Sequence, residues 1–120
     1  IAKAETDPKT RLNKVAYGYL AYWLDRREHY FLVFMSSDVS QSDVGVFVGE
    51  DRILKRFSVL YESLEAALGE RTEQVEVGLK SQQLLCFLNG IAHNLITISA
   101  FPWAEPRVLV EASVKGLLEA

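Results

Sequence analysis

Gln82, Cys86, Asn89, His93 and Thr97 come nearest to chemistry in this 120-residue chain. Their separations are 4, 3, 4 and 4, so on a helix they fall along one stripe. Leu84, Leu88, Ile91 and Leu95 fall on another. A polar stripe on so apolar a helix must meet water, a ligand or a partner's polar groups. Leaving one buried polar group unpaired costs about 1–3 kcal/mol. Two arrangements satisfy that demand. In one, the stripe walls a pocket in which Asn89 and His93 orient a ligand. In the other, the stripe is a helix–helix seam and each group bonds to a neighbour.

Catalysis is poorly served by the same residues. Cys86 and His93 are two helical turns apart, which separates their side chains by about 10 Å along the axis. A nucleophile and its base need hydrogen-bond contact. Cys86 therefore reads as a small buried apolar residue. The two histidines, His29 and His93, lie on different segments, and no Cys/His pair has metal-ligand spacing. Gly-rich phosphate loops, G-x-S-x-G and H-E-x-x-H are all missing from the sequence. No paired acid and base can be proposed, so the chain is not expected to be an enzyme, and no cofactor or metal is expected.

Aromatic residues are dense up to Tyr61. Tyr17, Tyr19, Tyr22, Trp23, Tyr30, Phe31, Phe34, Phe57 and Tyr61 could simply fill a core. Several tyrosine hydroxyls would then need partners inside it. A cavity with apolar walls and a few polar groups meets both requirements, and small-molecule sites have that character.

The elements that must position these residues are helices. Asp7-Pro8 starts the first: Asp caps well, and Pro suits the first helical position, where its missing N–H would be unpaired anyway. Leu12 to Leu24 is apolar on every face, as in a helix buried between neighbours. Asp25 to Glu28 interrupts it. His29 to Met35 is a short apolar stretch that periodicity alone assigns to neither helix nor strand. Residues 38–49 read as a loop leading into a helix.

Ile53, Phe57, Leu60, Tyr61, Leu64 and Leu68 repeat at threes and fours, which predicts an amphipathic helix. Gly69 stands where a left-handed C-terminal cap belongs. Thr72 is placed to cap the next helix, with Glu73 in its first turn. That helix is expected from about Glu73 to Ser99, a length of about 40 Å. Ala100 to Trp103 breaks it, and Glu105-Pro106 opens a last helix to about Glu119. Ala112, Ser113 and Gly116 lie close together on this last helix, and Gly90 lies on the long one. Small residues let helices approach closely. Two such helices doubled by a two-fold axis make a four-helix seam. The fold expected is all-α: an antiparallel bundle of about five helices in a single domain over residues 1–120, the last two forming a dimeric four-helix bundle.

Composition bounds the partners. Apolar residues make up 49 % and charged residues 24 %, enough for a core without a disulfide or metal staple. Thirteen Lys and Arg against sixteen Asp and Glu leave a net charge of −3, which disfavours a phosphate backbone. The single cysteine suits a reducing cytosol, and no apolar run approaches the roughly 20 residues of a membrane span. No signal peptide opens the chain. The first residue is Ile1 and the sole methionine is Met35, so a fragment lacking an N-terminal part is expected.

Three stretches resemble a known family. Tyr19-Leu20-Ala21-Tyr22 through Arg27-Glu28-His29-Tyr30-Phe31-Leu32-Val33-Phe34-Met35 is similar to the first two helices of the C-terminal domain of TetR-family (tetracycline-repressor-like) transcriptional regulators. Leu84 to Ala92 resembles that domain's penultimate helix, and Pro106 to Leu118 resembles its last. The pattern is broken twice: Arg26, Arg27 and Glu28 stand where a proline often begins the short helix, and Asn89 stands where histidine is frequent.

The resemblance implies a ligand-sensing, dimerising domain of a repressor, with DNA read only by an N-terminal helix-turn-helix domain that this chain lacks. It implies a small apolar or aromatic effector held among Tyr19, Tyr22, Trp23, Phe34, Phe57, Tyr61, Cys86, Asn89 and His93. It implies a homodimer formed around Gly90, Val110, Ser113, Val114 and Leu117. Ligand would favour one arrangement of the helices and so change the spacing of the attached DNA readers. Lys3, Lys9, Arg11 and Lys14 lie where such a reader attaches, and are read as a solvated face. The alternative is a stand-alone helical protein-interaction module without a ligand, recognisable by an exposed apolar patch.

Overall fold

A computed structural model describes residues 7–32 and 51–119, with side chains described from Ser58 onward in the second stretch. Five helices account for most of these residues, and no strand occurs among them. They are α1 (Pro8–Leu24), α2 (Arg27–Tyr30), α3 (Asp51–Leu68), α4 (Gln74–Thr97) and α5 (Pro106–Glu119). The fold is all-α. The stretch 38–49, expected as a loop leading into a helix, lies outside the described residues, as do Lys3, Phe34 and Met35.

Local chemistry sets the ends of these helices. The Asp7 carboxylate accepts from the backbone N–H of Thr10 at 2.9 Å and from its hydroxyl at 2.6 Å, and Pro8 follows in the first turn. Those two bonds hold the Asp7 carboxyl below its usual range. Gly69 ends α3 with φ at +91°, a left-handed conformation that costs a side-chain-bearing residue about 1–2 kcal/mol. The break after α1 is shorter than expected, Asp25 and Arg26 alone, so Arg27 and Glu28 belong to α2.

Thr72 does not cap α4. Glu73 occupies that position without a side-chain bond, and the Thr72 hydroxyl donates back to the Leu68 carbonyl at 3.2 Å. The tight turn through Gly69 brings Thr72 under the orphan carbonyls of α3, and those compete successfully for its hydroxyl.

Helix α1 is the hub and packs against each of the other four. Its Leu12, Ala16 and Leu20 are fully buried, alongside Leu60 and Leu64 of α3, Leu84, Leu88 and Ala92 of α4, and Val110, Val114 and Leu117 of α5. The near-uniform apolarity of α1 follows from that position. Helix α5 runs antiparallel to α4, and Lys80 near the start of α4 donates to the Leu117 carbonyl near the end of α5 at 2.9 Å. Glu76 pairs with the same ammonium at 3.6 Å. A buried lysine thus closes the last turn of α5, where a cation also complements the helix dipole. Among the described residues, no helix is long and apolar enough to cross a membrane.

Candidate functional site: an aromatic and polar seam between α1, α2 and α4

Tyr19 lies two-thirds of the way along α1 and points toward α4. Its hydroxyl donates to Asn89 Oδ1 at 2.7 Å. Burial pushes the Tyr19 hydroxyl above its ordinary pKa, because the phenolate would lose its water, and the hydrogen bond to Asn89 opposes that only partly.

One turn further along α4, His93 meets Tyr30 of α2. Tyr30 Oη lies 3.3 Å from His93 Nδ1, and burial raises the Tyr30 pKa as well. Trp23 forms the floor of this region. Its ring packs edge-on against Tyr30 with centroids 5.5 Å apart and against Tyr22 at 5.1 Å, and His29 lies at 6.0 Å. Both histidines of the chain therefore border one aromatic cluster. Arg27 secures the outer edge, donating to the Leu95 carbonyl at 3.3 Å. Arg26 folds back over the Tyr22 ring at 4.2 Å and donates to the Tyr22 carbonyl.

The polar stripe of α4 is thus divided. Asn89 and His93 are half-buried and bonded across to tyrosines of the same chain, the seam arrangement. Gln82, Cys86 and Thr97 are exposed, and the Thr97 hydroxyl donates to the His93 carbonyl of its own helix. Cys86 is a correction: it is exposed, not a small core residue, because α4 turns Leu84 and Leu88 inward and position 86 falls on the opposite side.

Of the other expected ligand residues, Tyr22 and Trp23 are buried in the cluster just described. Tyr61 is elsewhere: its hydroxyl donates to Gln74 Oε1 at 2.9 Å, and Gln74 donates to Glu65 at 2.8 Å, tying α3 to the start of α4. Phe34 and the Phe57 side chain lie outside the described residues. Three clefts lined by described residues avoid all nine positions. One of about 520 Å³ sits at the turn between α3 and α4, against Glu62, Glu65 and Glu70. Two of about 210 and 120 Å³ lie between α1 and α5 on either side of Asn13.

The expected dimer residues also divide. Val110, Val114 and Leu117 are at most 4 % exposed within the single chain and present nothing to a second copy. They form the one stripe by which α5 closes its own bundle, and that intrachain demand takes precedence. The Ser113 hydroxyl is spent on the Leu109 carbonyl at 2.9 Å. Gly90 is exposed. Around it lies an apolar strip of α4, with Leu79 60 % and Phe87 42 % exposed. On neighbouring α5, Val108, Ala112 and Gly116 follow one another at four-residue spacing and are also exposed.

Tyr30 and Arg27 escaped the sequence reading as site residues. Tyr30 was visible as one of the aromatics, but its pairing with His93 depends on how α2 folds back, which local pattern does not encode. The Arg107 guanidinium stacked on Tyr17 at 4.2 Å was equally hidden.

Fold and site together define a class: an all-helical bundle with an aromatic, hydrogen-bonded interior seam and an exposed apolar strip on its last two helices. No known family, curated protein or solved structure matches this chain.

Proposed function

We propose that this chain is the effector-binding and dimerisation domain of a TetR-like transcriptional repressor, taking a small apolar or aromatic molecule. The observation that carries the reading is the two-sided character of α4. One edge holds Asn89 and His93 against tyrosines of α1 and α2, and the adjacent edge exposes Leu79, Cys86, Phe87 and Gly90. A guest that replaces the tyrosine hydroxyls on Asn89 and His93 would shift α4, and with α4 any copy bound to its outer edge. Attached DNA readers would then meet, or miss, two half-sites one helical turn apart, roughly 34 Å. The ligand moves that equilibrium only by its difference in affinity for the two arrangements. In this reading DNA contact falls to a separate helix-turn-helix domain, since the net charge of −3 disfavours a phosphate backbone here.

A thermal-shift screen of small apolar and aromatic compounds tests the reading. A compound at a hundred times its Kd stabilises the fold by about 2.7 kcal/mol. The expected result is such a shift in the natural chain, lost in Asn89→Ala and His93→Ala. A screen without a hit, or hits indifferent to both substitutions, overturns the pocket.

A second reading, a helical protein-interaction module without a ligand, is favoured by Phe31, Leu32, Ile98 and Phe101, each at least half exposed. It predicts a monomer that captures a partner and ignores small molecules.

A further inference from the structure

We draw no further inference here: the strongest candidate, the pair of clefts that Asn13 separates between α1 and α5, carries nothing because its unpartnered acceptor, Asn13 Oδ1, is sealed from both clefts, and Lys14 and Arg107 share the larger one with Glu111.

Discussion

Tyr19 is the side chain on which the seam turns. Its hydroxyl donates to Asn89. Tyr19→Phe strips Asn89 of that partner and is expected to cost about 1–2 kcal/mol in urea denaturation. The same residue has a pH signature. Its folded pKa is raised above 10.0 by burial, so its contribution is complete below pH 10 and is lost as pH climbs through the raised value. The natural chain should therefore lose stability above pH 10 more steeply than Tyr19→Phe, with Tyr30 supplying part of the remaining slope. Equal slopes would mean that Tyr19 is solvated. Ser63 is the opposite case. It is fully buried in α3, and its hydroxyl finds no hydrogen-bond partner among the described residues. Ser63→Ala removes an unpaid desolvation, so its denaturation midpoint should hold or rise, by up to about 1 kcal/mol. A loss of 1 kcal/mol or more would show that the hydroxyl is bonded. Neither role was legible in the sequence, which shows that Tyr and Asn need partners but not which partners tertiary packing supplies.

Helix ends, by contrast, were readable, because capping is settled within four residues. Asp7-Pro8, Gly69 and Glu105-Pro106 each mark a boundary that the structure keeps. Gly69→Ala should cost about 1 kcal/mol, since alanine must take up φ near +91°; a thermal melt that stays put would mean that the turn relaxes to another shape. Thr72 misled because its hydroxyl had two possible customers, the start of α4 and the end of α3, and the tight turn decided for the latter. The short α2 was ambiguous for a different reason. Four residues carry too little periodicity to identify a helix, and α2 is held by contacts from elsewhere, Tyr30 on His93 and Arg27 on the Leu95 carbonyl. The hidden face of α5 was harder still. Apolar residues lie on two of its sides, Val110, Val114 and Leu117 on one and Val108 and Ala112 on the other, and only packing against α1 and α4 selects the first.

At the scale of the whole molecule, the bundle closes its core and still leaves apolar surface on α4 and α5. Leu79, Phe87 and Val108 are each more than 40 % exposed beside the small residues Gly90, Ala112 and Gly116. A second copy laid across this strip would bury it about a two-fold axis, and a stable interface of this kind needs about 800 Å² from each partner. Two substitutions on α5 separate the strip from the core. Val110→Ala should lower the stability of the chain by about 1–3 kcal/mol through the cavity it leaves. Ala112→Glu should leave the fold intact and place a charge in the seam between copies, where nothing pairs with it.

Sedimentation velocity of the natural chain at micromolar concentration, run beside Ala112→Glu, is the most direct test. Twice the mass of one chain is expected for the first and a folded single chain for the second. A natural chain that stays single at every concentration, or a substituted one that still pairs, contradicts that expectation.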